Sequence, residues 1–145
     1  MKNKIISFVI MTGFVFFIGG DLVGMEGETV PVISITSIPY VIKKSGSYRL
    51  SPDAIDKGGT RKKFGAAIKI YNNVDVALDL QGAILDAHGR HFAIDANFAH
   101  SLYLSNGIIT GATIGIGGLY SYVVLDNVTI ENCKISTELK NYEIK

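Results

Sequence analysis

Between residues 86 and 91 the chain gathers Asp86, His88, Arg90 and His91 into one loop, its densest group of potentially reactive side chains. A carboxylate, two imidazoles and a guanidinium can bind an acidic sugar and move a proton. In that scheme His88 or His91 is the base and Arg90 holds a substrate carboxylate. These four are the candidate catalytic residues. No fixed metal-ligand or triad spacing accompanies them, and no cofactor is implied. The competing reading is a solvated corner, polar as loops are by default. His100 stands alone before a strand and reads as a turn residue. A second chemistry, stacking against sugar rings, is offered by Tyr103, Tyr120 and Tyr122, which otherwise serve to cover a sheet face.

The elements that must position these residues repeat. In Val74–Asp86, Val74, Val76, Leu78 and Leu80 alternate with Asp75, Ala77, Asp79 and Gln81, the two-residue period of a half-buried strand. Gly82 bends the chain, and Ala83, Ile84 and Leu85 begin a second short strand. The same shape returns at 102–109 and at 123–130. A third short strand recurs at 67–70, 93–96 and 114–116. Aligning Leu80 with Leu104 and Leu125 gives spacings of 24 and 21; aligning Ile68 with Ile94 and Ile116 gives 26 and 22. Periods of this length indicate a solenoid, and three strands per period with no helical pattern favour a parallel β-helix. The expected architecture is therefore an all-β, right-handed parallel β-helix of about three coils over 65–133. A linker and a strand-turn-strand cap at 25–64 precede it, and a tail or cap at 134–145 follows. A lone coil buries too few side chains to offset the entropy of its backbone, so each coil needs its neighbours.

Within that frame Asp79 aligns with Tyr103 and Val124, Asp86 with Thr110 and Glu131, and Lys69 with Asp95 as a cross-strand ion pair. With Gln81 aligned to Ser105 and Asp126 as the second outward column, neither column of the main strand pairs carboxylates, which argues against a calcium site and against a glycosidase pair there. Asp86 and Glu131, two rungs or about 9.5 Å apart, reach the upper limit for an inverting pair. Leu80, Leu104 and Leu125 are expected in the core. Asn106 and Asn127 are expected at the bend, bonding the corner backbones of adjacent coils. Pro39, lacking an N–H, places its segment at an edge or end of the fold. Ser51 to Ile55 reads as a single helical turn with Ser51 as N-cap and Pro52 at N1.

Composition narrows the classes further. Lys2 and Lys4 precede an uncharged, mostly apolar run from Ile5 to Gly20, the pattern of a secretory signal over residues 1–24 or of an uncleaved anchor. The whole chain carries 14 basic and 13 acidic residues; without residues 1–24, which hold Lys2, Lys4 and Asp21, it is neutral. Neutrality gives no support to nucleic-acid binding, and the basic run Lys57–Lys63 reads as a solvated loop. A single cysteine, Cys133, rules out an internal disulfide, so packing alone holds the fold.

The segments Ile-Pro-Tyr-Val-Ile, Ser-Gly-Ser-Tyr-Arg-Leu, Val-Ala-Leu-Asp-Leu-Gln-Gly and Leu-Ser-Asn-Gly-Ile-Ile-Thr-Gly together resemble the start of right-handed parallel β-helix proteins of the pectate-lyase-like superfamily. The resemblance covers about residues 32–133. It implies an exported protein, secreted or held in the periplasm or cell envelope, related to enzymes that act on acidic polysaccharides or to non-catalytic relatives that bind glycans. Those families have many more coils, so the expectation favours glycan binding or a surface scaffold over catalysis. The alternatives are a polysaccharide lyase or glycoside hydrolase, and a purely structural, shortened relative of a longer protein. Polysaccharide is the expected partner, and the unpaired edge of the last coil invites end-to-end self-association.

Overall fold

The computed structural model describes residues 9–11, 14–16, 30–58 and 65–145. Most of the signal-like segment, and the basic loop from residue 59 to 64, lie outside the described residues. Short strands β1 (Val9–Met11) and β2 (Phe14–Phe16) pair antiparallel with each other. Every other pairing is parallel, and the strands wind around one axis as a right-handed β-helix.

Each coil crosses three faces. The first face stacks β3 (Val32–Ile38), β5 (Gly46–Asp56), β7 (Asp75–Asp79), the front of β10 (Ser101–Thr110), the middle of β11 (Ile114–Ile130) and the end of β12 (Ile135–Ile144). On the second face β8 (Ile84–Asp86) pairs with the end of β10, which pairs with the end of β11. The third face stacks β4 (Tyr40–Ile42), β6 (Ala66–Ile70), β9 (Phe92–Asp95) and the starts of β11 and β12. Inward columns fill the axis: Leu78, Leu104 and Leu125 on the first face, Leu85 and Ile109 on the second, Ile68, Ile94 and Ile116 on the third. Two-residue alternation directs these chains inward, and the parallel register sets each directly over the next.

The third-face alignment is as expected, but the first-face alignment shifts by two. Leu104 lies beside Leu78 rather than Leu80, and Asp79 beside Ser105 rather than Tyr103. The reason is a corner longer by two residues in one coil. Four residues, Leu80 to Ala83, join Asp79 to Ile84, whereas only Asn106 and Gly107 join their partners Ser105 and Ile108. The extra pair, Gln81 and Gly82, turns with φ of 54° and 75° and returns Leu80 to the core. Gly107 makes room for it: a Cβ there would lie 2.5 Å from Leu80 Cβ.

Left-handed residues stack at this corner, Gln81, Asn106 and Asn127 having φ between 54° and 55°. Asparagine tolerates that conformation because its short amide bonds locally. Asn106 and Asn127 do pair across coils, but through side chains. Asn127 Nδ2 donates to Asn106 Oδ1 at 3.3 Å, and Asn106 Nδ2 to Asp79 Oδ1 at 3.2 Å. Asn127 is exposed, so the ladder runs along the outside of the corner rather than bonding buried backbone.

At the front end the segment read as strand, turn and strand instead makes a full coil: β3 and β4 lie on different faces, and β5 pairs in parallel with β3 as the next rung. Pro39 separates β3 from β4, both in the first coil. The helical turn expected at 51–55 is absent. Ser51 Oγ does accept the Asp53 N–H at 3.3 Å, but the segment continues as β5, with a register break between the Ile35–Leu50 and Ser37–Ile55 pairs. The flanking residues Leu50 and Ile55 both pair with β3, which keeps the segment between them extended across the bulge. At the other end the last rung of β12 leaves Tyr142 and Ile144 exposed.

Candidate functional site

The loop that joins the second face to the third carries Asp86, His88, Arg90 and His91. It turns at His88 and Gly89, both left-handed, with φ of 48° and 79°. Asp86 sets the turn by accepting the His88 N–H on Oδ1 at 2.7 Å. Arg90 is only 1% exposed and points back under the preceding coil. There it meets Asp56, at the end of β5, in a two-armed pair: Nη2 to Oδ1 at 2.8 Å and Nη1 to Oδ2 at 3.1 Å. Nη1 also donates to the Ala87 carbonyl at 3.0 Å, and Nε is buried without a protein partner. The guanidinium expected to hold a substrate carboxylate thus already holds one of the protein's own.

His88 sits between two carboxylates, with Nε2 3.6 Å from Asp56 Oδ2 and Nδ1 3.6 Å from Asp86 Oδ2. Its side chain is about half exposed, as is that of Asp86, so solvent reaches both while Arg90 stays buried. His91 turns away onto Phe92, ring edge to face at 4.5 Å. Sequence reasoning missed Asp56, which lies 34 positions before Arg90 and comes near it only because the coils stack. The alignment of Asp86 with Thr110 holds, and Glu131 follows one rung later, its N–H bonding the Ile109 carbonyl.

Arg90 hydrogen bonding draws the Asp56 pKa from 3.8 down to about 2, with smaller help from the Gly58 N–H and the Arg90 and His88 charges against the cost of burial. The folded-state value lies below the unfolded one, so this contribution is complete above about pH 4 and fades as pH falls toward 2. For this mostly covered side chain the shift corresponds to roughly 2 kcal/mol. Urea unfolding at pH 5, 3 and 2 should show the wild type losing that increment relative to an Asp56→Ala/Arg90→Met variant. A stability gap that stays constant with pH contradicts the assignment.

The tyrosines divide between two places. Tyr103 and Tyr122 stand on the outer side of the first face, and each reaches one rung forward and two residues along. Tyr103 Oη donates to Asp126 Oδ2, and Tyr122 Oη to Glu143 Oε2 at 3.0 Å. Burial, then the Asp126 carboxylate, pushes the Tyr103 pKa up to about 12, while Glu143 raises that of Tyr122. Tyr120 lies instead at the corner between the third and first faces, stacked on Phe98 at 5.4 Å.

The first face also holds a pair that sequence reading did not find. His100 Nδ1 lies 2.7 Å from Asp75 Oδ1, and the Ser101 hydroxyl donates to the same oxygen. Those bonds, Ser101 foremost, lower the Asp75 pKa. On the third face Lys69 and Asp95 are neighbours as expected, but no ion pair forms; Asp95 instead accepts from Asn97 Nδ2 at 2.9 Å. Among the described residues no cluster of three or more histidine, cysteine or acidic side chains is arranged to hold a metal ion.

Compared with models of known families, with curated proteins and with solved structures, the chain matches none.

Proposed function

We propose that this chain is an exported β-helix protein of the pectate-lyase-like kind that binds carbohydrate on its first face and does not cleave it. The observation that carries the reading is the pair of tyrosines on that face. Their common tilt, each hydroxyl fixed by a carboxylate of the next rung, holds two rings at set positions on a flat surface. Around them stand the Asp75–His100–Ser101 cluster and the Asp79–Asn106–Asn127 ladder. Sugar rings offer an apolar face for stacking and a rim of hydroxyls for carboxylates and amides, which is the chemistry this surface presents.

Against turnover stands the 86–91 loop, where Arg90 and Asp56 satisfy each other and the Asp86 carboxylate is engaged by its own turn. His88 keeps open the alternative of a lyase or hydrolase. A polysaccharide panel tests both readings. Retention of at least one glycan, weakened by roughly five- to thirtyfold in Tyr103→Ala/Tyr122→Ala, is the expected result. Release of unsaturated or reducing sugar ends by the wild type, abolished in His88→Ala, would overturn it.

A further inference from the structure

The corner where the third face turns into the first differs chemically from all three faces. Its residues, 43–45, 71–74, 97–100, 119–121 and 140–141, include no acid. It exposes one large ring per coil: Tyr71 at 48%, Phe98 at 57% and Tyr120 at 66%. Phe98 and Tyr120 stack with an interplanar angle of 13°. Lysines close the row at both ends, Lys43 Nζ lying 5.6 Å from the Tyr71 ring centre and Lys140 Nζ 5.3 Å from that of Tyr120. Lys44 stands exposed beside Lys43. Lys43, Tyr71, Phe98, Tyr120 and Lys140 therefore form a line along the axis, one residue per coil, spanning four rungs or about 19 Å.

The shape of this line decides what it can meet. It is the outside of a turn between two sheet faces and so convex, whereas sites for small ligands are concave. A straight ridge presents its rings together only to an extended, flat partner. Aromatic rings on such a ridge suit the headgroup boundary of a bilayer, where the ring body is sheltered and the tyrosine hydroxyl stays wet. Lysines bury their stems there and keep their ammonium groups among lipid phosphates. Of the nearest acids, Asp75 is engaged by His100 and Ser101 and Asp95 by Asn97, while Glu138 flanks the corner on the third face; Asp86 and Glu131 belong to the second face, away from it.

We infer that the Lys43–Tyr71–Phe98–Tyr120–Lys140 ridge docks this protein on an anionic phospholipid surface, with the axis of the β-helix lying in the plane of the bilayer. Each lysine near such a surface strengthens partition by roughly fivefold. The chain contains no tryptophan, so a Phe98→Trp variant of the full chain reports on the ridge alone. This matters because the apolar run near the N-terminus can bring any form of the protein to a vesicle. The probes are phosphatidylglycerol vesicles carrying brominated chains, matching phosphatidylcholine vesicles, and a soluble polysaccharide.

The expected result is a blue-shifted, bromine-quenched emission on phosphatidylglycerol only. Adding Lys43→Glu and Lys140→Glu should weaken it by at least about tenfold. Tryptophan placed at exposed Ile84, on the opposite face, should report neither change. Emission that stays as in buffer, that shifts equally on phosphatidylcholine, or that survives the charge reversals overturns the inference. So does a shift produced by the polysaccharide and not by vesicles. A Tyr120→Trp variant read in the same way guards against a fault particular to position 98.

Discussion

Asp56→Ala is expected to destabilise the protein by about 3 to 5 kcal/mol, measured as the loss of unfolding free energy in urea near neutral pH. The Asp56 side chain is mostly covered, and its removal strands a guanidinium that is 1% exposed and left with a single carbonyl, that of Ala87, as its protein partner. A buried charge without its counterion costs far more than the intact pair contributes. The same reasoning predicts that Asp56→Ala/Arg90→Met, which removes both charges and keeps an apolar chain in the space, recovers much of the loss. If the double variant is no more stable than Asp56→Ala, the cost does not come from the stranded charge. The loss would then measure what the pair itself contributes to joining the β5 coil to the 86–91 corner.

Leu104→Ala is expected to cost about 3 to 5 kcal/mol, toward the upper end for such truncations. Leu104 is fully buried between Leu78 in the coil before and Leu125 in the coil after. Backbone hydrogen bonds on both sides hold those coils at a fixed spacing of about 4.8 Å, so the surroundings cannot collapse into the gap. Ile144→Ala provides the contrast. It carries the same inward column onto the last rung but is 70% exposed, and its truncation should change stability by about 0.5 kcal/mol or less. Equal losses at the two positions would mean that the last rung is covered in solution, as end-to-end association of chains would cover it.

The candidate site was legible only in part. Asp86, His88 and Arg90 were found because they are close in sequence, and a corner loop keeps such residues close in space. Their roles were not legible, since Arg90 is defined by Asp56, 34 positions away. The sequence groups Tyr103, Tyr120 and Tyr122 as one set of rings, whereas Tyr120 stands apart at the corner, stacked on Phe98. Period two separates inside from outside along one strand; it does not tell which face follows a bend.

By itself the sequence determined the β-helix, because alternating aliphatics in three strands per repeat have no stable arrangement except stacked coils. It also determined the third-face register of Ile68, Ile94 and Ile116, where the recurring motif offers one alignment. Only the tertiary structure decided the first-face register, because the Gln81–Gly82 turn adds two residues without breaking the apolar alternation, and a shift of two keeps every side chain on its own face. That degeneracy is the physical reason the partners of Asp79, and with them the composition of the candidate glycan face, had to be read from the folded molecule.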